Sequence, residues 1–320
     1  MKTLHVTIQD ELAIYYLEQS QATERHTVGS IGGVQMIDNT YDPTQLSKDK
    51  ILRMSKSSFM LARGCLRRYW WGKVKFPDLR IPPTEAMLKG TFVHKALEEC
   101  YDNYAGEDDI THLFPIGTDY DETLMELCNL ENQRLDAWGK GHFKPFSYEQ
   151  KKMVYDPEFD VVMVGAWDGL VEHPEGGLCL VELKTGDLST GKLSRVRREL
   201  CFYERMISLM GYEKPVTHIM LISSDCTNAR TAETVLKSGR KAVFLGDNFG
   251  ITIIEKLGKR SKDAFKRDYE RVINSLKSCD WTPDWSDYFC ANYCDYHLAC
   301  DEELHGEGED PTLEGGCNAV

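Results

Sequence analysis

The chain has no apolar run long enough to cross a bilayer, no Gly-rich phosphate loop ahead of Lys-Ser or Lys-Thr, no internal repeat and no low-complexity linker. The first absence excludes a membrane span, and the opening MKTLHVTIQDELAIYY does not read as a signal peptide. The second excludes a built-in nucleotide-driven motor, so any unwinding has to come from a partner. The last two argue against separate autonomous domains. Positive charge is short as well: 38 Lys and Arg face 51 Asp and Glu, a formal net charge of −13. That balance is awkward for a protein that binds a polyanion, since such affinity comes largely from cationic contacts to phosphate.

What is present is ample apolar material, with 42% hydrophobic residues in 320, enough for a full α/β core. Eleven cysteines in an intracellular-looking chain point to metal binding rather than disulfides, and to a reducing compartment. Acid is concentrated in GEDDITHLFPIGTDYDETLMELCNLE and in the tail CDEELHGEGEDPTLEGG. Basic residues gather elsewhere: Arg67, Arg68, Lys73 and Lys75 among Tyr69, Trp70 and Trp71, then Lys192, Arg195, Arg197 and Arg198. Cations beside aromatic rings suit single-stranded nucleic acid, whose bases stack for about 1 to 3 kcal/mol each. An amphipathic helix with a core Trp pair fits the first group equally well. Arg195, Arg197 and Arg198 are better placed for phosphate, because they open the helix that carries Tyr203.

The densest pattern runs from Val164 to Gly186, VGAWDGLVEHPEGGLCLVELKTG. Two β-branched, apolar runs flank the turn-forming HPEGG, which predicts a hairpin. Alternation along the second run puts Glu182 and Lys184 on one face, and Asp168 on the partner strand can join them. Two carboxylates beside an ammonium match the needs of phosphodiester hydrolysis with Mg2+: hard oxygen ligands, and a cation near the attacking water or the growing charge. Glu-x-Lys on its own is common, and a surface strand with an ion pair is the plain alternative.

Asp, a spacer and Glu-x-Lys between apolar strands resemble the core of the PD-(D/E)XK nuclease superfamily, and AWDG with VELKTG look like its RecB-like branch. KGTFVHKALEECYDNY resembles the branch's helical motif, which makes His94 a further metal ligand. RRELCFYERMISLMGY resembles the helix after the Lys strand and matches Glu199 and Tyr203. Glu199 stands where the family usually has Gln, which leaves its role beside a phosphate open. Taken singly, His94 and Tyr203 could each be packing residues; their order around the Asp and Glu-x-Lys pair makes coincidence harder. The resemblance implies an α/β, restriction-endonuclease-like fold, a central mixed sheet flanked by helices. It also implies Mg2+ or Mn2+ on His94, Asp168 and Glu182 with the Leu183 carbonyl. Lys184 would act on the attacking water or the phosphorane charge, and Tyr203 would hold the substrate phosphate.

Cys65 lies in SKSSFMLARGCLRRYWWGKV, while Cys290, Cys294 and Cys300 lie together in DWTPDWSDYFCANYCDYHLAC. This split set resembles AddB-type nucleases and the related CRISPR-adaptation enzymes, and so implies a 4Fe-4S cluster. Three residues separate Cys290 from Cys294 where the family usually has two; each thiolate need reach only one iron, so the longer spacing is tolerable. Four thiolates also suit Zn2+, and His297 could replace one of them. The remaining cysteines, Cys100, Cys128, Cys179, Cys201, Cys226, Cys279 and Cys317, read mostly as small buried side chains. A cluster joining Cys65 to the last three would staple the two ends of the nuclease core together.

The expected organisation is an unassigned segment 1–48, a helical part 49–145 with Cys65 and His94, a nuclease core 146–278, a cluster loop 279–300 and an acidic tail 301–320. A helix is expected from Ile254 to Ser278, and KAVFLGDN with FGITIIEKL as added strands. The resemblance implies a cytoplasmic DNA exonuclease of recombination, repair or replication, with a phage as a fitting source. Its partners would be single-stranded or ended DNA, and a helicase or recombination protein. A spacer-trimming nuclease of CRISPR adaptation and a non-catalytic DNA-end binding module with a structural cluster are the alternatives.

Overall fold

The computed structural model describes residues 51–77, 82–186, 188, 190–224, 242–248, 250–284 and 286–305. The segment 1–48, most of the acidic tail, Cys226 and Cys317 lie outside the described residues. Among those described, the expected mixed sheet flanked by helices is present as two mixed sheets.

The smaller sheet has the order β1-β3-β2, with β1 at Leu52–Ser55, β2 at Lys152–Asp156 and β3 at Val161–Gly165. β1 runs parallel to β3 and β2 antiparallel to it. The larger has the order β4-β5-β6-β8-β7, with β4 at Gly169–Glu172, β5 at Leu178–Lys184, β6 at Val216–Ser223, β7 at Ala242–Leu245 and β8 at Ile251–Lys256. The predicted hairpin is the antiparallel pair β4 and β5, in register from Gly169 against Val181 to Glu172 against Leu178. The apolar run before HPEGG is not one strand: the chain turns after Asp156, and it breaks again at residues 166–168 between β3 and β4. That second break delivers Asp168.

β5 lies parallel to β6 and is buried along its length except at Lys184. This is what a strand covered on both faces requires, and it explains why its sequence is nearly continuous in apolar residues. Leu178 and Leu180 pack into one core with Leu200 and Tyr203 of helix α5, Thr190–Leu209, and with Phe265 and Tyr269 of helix α6, Lys259–Lys277. Cys179, Val181 and Leu183 pack into a second core with Val93 and Leu97 of helix α3, Glu85–Asn103, and with Leu127 of helix α4, Asp121–Trp138. Glu182 and Lys184 therefore emerge on the α5 side of the strand, at its C-terminal end.

Two differences from expectation have local causes. The part before residue 145 is not purely helical, because Leu52 and Met54 alternate inward and place β1 beside β3. α6 begins at Lys259 rather than Ile254, because the β-branched run ITII continues as β8, paired with β6. Trp70 and Trp71 are buried, which decides between core and stacking platform in favour of core. Cys100, Cys128, Cys179 and Cys201 are buried free thiols as expected, whereas Cys279 is disulfide-bonded.

Candidate metal centre and cysteine cavity

Helix α1, Lys56–Gly64, follows β1 directly, and the Ser55 side chain caps it by accepting the Ser58 N–H at 3.1 Å. The cap fixes Lys56 on the first turn, at the mouth formed by β5 and α5. Its ammonium is 3.0 Å from Glu182 Oε1 and 3.8 Å from Glu199 Oε2, and it lies 4.9 Å over the Tyr203 ring. Lys184 Nζ reaches the same Glu182 oxygen at 2.5 Å and the same Glu199 oxygen at 3.2 Å. Arg195 Nε takes the other Glu199 oxygen at 3.2 Å. The carboxylate at 199 is thus surrounded by three cations, so it need not repel a phosphate.

Glu182 is 1% exposed, and its Oε2 is buried with no hydrogen-bond partner. Burial pushes its carboxyl up, but Lys56 and Lys184 outweigh that and hold it down at about 2. Burial opposes the charge on Lys184, and the Glu182 carboxylate overrides it to raise the lysine. The Tyr203 hydroxyl is pushed up by burial and stays a donor.

Across the end of β5 the Leu183 N–H donates to Asp168 Oδ2 at 2.6 Å. His94 Nδ1, from α3, lies 3.2 Å from Glu149 Oε1 and 3.7 Å from Asp168 Oδ1. One donor atom from each of His94, Glu149 and Asp168 falls within 4.8 Å of the others. Burial and then the Glu182 charge lift Asp168 to about 6. Burial lowers His94, yet Asp168 and Glu149 outweigh it and raise the imidazole to about 9. Carboxylates crowded with a histidine, close enough to Glu182 to feel its charge, form a donor set that fits a hard divalent cation.

Glu149 carries no motif in the sequence. Its loop is tied to the β4–β5 hairpin by the Ser147 bridge to Leu170 and by the Glu149 N–H to Trp167 carbonyl bond of 2.9 Å. Trp167 in turn donates its indole N–H to Ser147 at 3.1 Å. Glu149 has φ of 47°, a left-handed backbone that a non-glycine residue adopts only when its surroundings impose it. Lys56 carried a faint signal, a lysine inside a Ser-rich helix start, which sequence reasoning passed over.

The structure gathers Asp168, Glu182, Lys184, His94 and Tyr203 at one place, as expected. The arginines are dispersed. Arg67 is buried and paired with Glu303 at 3.4 Å, and Arg68 pairs with Asp295 at 3.0 Å. Arg197 is bidentate on Glu255, and Arg198 lies 3.6 Å from Asp268. Only Arg195, its side chain 65% exposed, touches the carboxylate cluster.

Cys65, Cys290, Cys294 and Cys300 line one small cavity together with Arg68, Trp71 and His297. Cys65 caps helix α2, Leu66–Tyr69, with its sulfur accepting the Arg68 N–H at 3.5 Å. Cys290 belongs to helix α7, Asp287–Tyr293, and accepts the Ser286 N–H at 3.5 Å; Cys300 belongs to helix α8, His297–His305. The Trp71 indole N–H is buried without an acceptor. An orphaned donor beside thiols that already accept backbone N–H groups fits an anionic, acceptor-rich inorganic group. The ring stacks of Trp71 on Tyr296 and Tyr69 on Trp281 join the same two chain regions, so the thiols are not their sole link. A second set, His173, Glu175 and His218, also falls within 4.8 Å. Its imidazoles stack face to face at 3.8 Å, so their in-plane lone pairs run side by side instead of converging on an ion.

The model of the PD-(D/E)XK nuclease superfamily matches residues 53–301. A solved structure described as "Crystal structure of SSO0001" is similar over 92% of this chain and 95% of that one, with 14% sequence identity and a TM-score of 0.43. Among curated proteins none matches.

Proposed function

Because the chain belongs to the PD-(D/E)XK nuclease superfamily, we propose that it is an Mg2+- or Mn2+-dependent DNA exonuclease acting on ends or single strands. Recombination, repair or phage replication is the setting that suits such an activity, with a helicase or recombination protein as partner. The observation that carries the reading is the trio His94, Glu149 and Asp168 within 4.8 Å, supported by the buried, unpartnered Glu182 Oε2.

His94, Glu149, Asp168 and Glu182 would hold the ion, with the Leu183 carbonyl as a further oxygen. The ion supplies Lewis acidity and a water acidic enough to deliver hydroxide at neutral pH. The protein contributes position and charge. Lys184, donating to both Glu182 and Glu199, places an ammonium where negative charge grows as the water oxygen bonds to phosphorus and the ester P–O bond breaks. Tyr203 donates from the α5 side, and Arg195 is the exposed cation that meets the adjoining phosphate.

The same proposal gives the cysteine cavity a 4Fe-4S cluster rather than Zn2+. The orphaned Trp71 indole N–H at the same cavity favours an acceptor-rich sulfide cluster over a zinc ion saturated by thiolates. The division at residues 145, 278 and 300 belongs to the proposal too, with β1 lent by the first part to the sheet of the second.

The test is an anaerobic preparation assayed on end-labelled single- and double-stranded DNA with Mg2+, Mn2+ or EDTA, together with its absorption spectrum. Metal-dependent degradation and a broad band near about 400 nm are expected. A colourless protein that binds DNA without cutting it would overturn the reading in favour of a binding module.

A further inference from the structure

Glu182 uses its two oxygens very differently. Oε1 lies between two ammonium groups, 2.5 Å from Lys184 and 3.0 Å from Lys56. Oε2 is buried and has no partner. Glu199 faces the same two ammonium groups from the other side, at 3.2 and 3.8 Å. Two anions and two cations are therefore interleaved on the α5 side of β5, while His94, Glu149 and Asp168 stand together as a separate donor trio.

In two-metal phosphodiester hydrolysis, carboxylates clamp a pair of cations about 3.5–4 Å apart. Here the surroundings of Glu182 Oε1 are already filled by positive charge fixed to the protein. Lys56 is not a wandering surface lysine: the Ser55 cap, the parallel pairing of β1 with β3 and the Tyr203 ring beneath it set its position. We propose that the Lys56 ammonium stands in for a second cation. The site then takes one divalent ion, on the side of Glu182 Oε2 and the trio, and Lys56 is a positioning residue that keeps Oε2 turned toward it. This inference rests on the nuclease reading of the site. Without the Lys56 charge, only Lys184 lies between Glu182 and Glu199, Arg195 being on the other Glu199 oxygen, and the vacated side of Glu182 Oε1 becomes an opening for another ion.

The experiment counts Mn2+ bound to the full-length, cluster-intact protein by electron paramagnetic resonance of the free ion. It compares the wild type with Asp168→Asn, Lys56→Gln and Lys56→Arg. One ion that disappears in Asp168→Asn is expected for the wild type and for Lys56→Arg, and two for Lys56→Gln. Two Asp168-dependent ions in the wild type, or one in a folded Lys56→Gln protein, would overturn the role of Lys56. The wild-type and Lys56→Arg counts keep the test decisive if Lys56→Gln does not fold. A wild-type count of zero would remove the nuclease reading itself, and it is distinguishable because the Lys56 inference fails at two.

Discussion

Glu131→Ala is expected to destabilise the protein more than most single substitutions, and the reason lies in helix α4. Glu131 and Arg134 are both 0% exposed. Arg134 Nη2 is 2.5 Å from Glu131 Oε2, and its Nε reaches both carboxylate oxygens at 3.0 and 3.2 Å. The Tyr101 hydroxyl donates to the same carboxylate at 2.9 Å, and the guanidinium sits 4.5 Å over the Phe143 ring. Without Glu131 the guanidinium keeps only the His142 carbonyl, at 3.3 Å, and the Tyr101 hydroxyl, at 3.4 Å. Stranding one member of a buried pair costs about 3–5 kcal/mol. For a chain of this size that corresponds to a fall in Tm on the order of 10 °C. Glu131→Leu with Arg134→Met removes both charges at similar volume, and such replacements are often close to neutral. Urea denaturation of the single and double variants, with unchanged m values, provides the comparison. A single variant losing less than about 1 kcal/mol, or a double variant losing as much as the single, would refute the reasoning. The pair also bears on the site: Tyr101 lies two turns beyond His94 on α3, so the loosened protein should need more Mg2+ for half-maximal cleavage.

Lys184→Ala should abolish cleavage while leaving DNA affinity nearly intact, because Arg195 and Lys56 still provide charge at the site; unchanged turnover on labelled DNA would contradict its assigned role. Cys294→Ser should lower soluble yield and absorbance near about 400 nm together, and a variant with full colour would remove Cys294 from the ligand set. Gly165→Ala should cost about 1–3 kcal/mol by overpacking, since a Cβ there would lie 2.6 Å from Tyr203 Cε1. Displacement of Tyr203 should also raise KM for DNA, and a variant with wild-type Tm and KM would show that strand and helix yield without effect.

The net charge of −13 conflicts with a DNA substrate only if affinity has to be spread over the surface. The arginines that would spread it are occupied: Arg67 by Glu303, Arg68 by Asp295, Arg197 by Glu255 and Arg198 by Asp268. A phosphate reaching any of them must first displace a carboxylate. Lys56, Lys184 and Arg195 instead place three cations around Glu182 and Glu199 at the proposed site. Charge focused there releases few counterions along a duplex and so supports little non-specific binding. That suits an enzyme that engages an end or a single strand at its active centre.

The parts of this molecule legible in its sequence are those where one residue type at one spacing has a single use. Glu182 and Lys184 alternate onto one face of β5 whatever the rest of the chain does, and the HPEGG turn brings β4 and Asp168 back beside them. The four cysteines could be grouped only because their placement, one before the core and three after it, resembles that of the iron-sulfur nucleases. The arginines were harder, since a basic cluster in sequence says nothing about the carboxylates that folding will bring to it; Glu303 is 236 residues from Arg67. Lys56 and Glu149 were harder still. Lys56 meets Glu182 across 126 positions of sequence, through a helix start placed by the pairing of β1 with β3 and the Ser55 cap. Glu149 reaches His94 through a loop whose course depends on Trp167, Ser147 and a left-handed backbone at Glu149 itself. Neither residue type is unusual in a loop or a helix start, so local sequence barely sets Lys56 apart and does not set Glu149 apart. What selects them on the proposed reading is the unbalanced chemistry of the motif: two carboxylates and one ammonium would leave both a charge to be countered and a coordination shell to be completed, and the fold offers Lys56 for the first and Glu149 for the second.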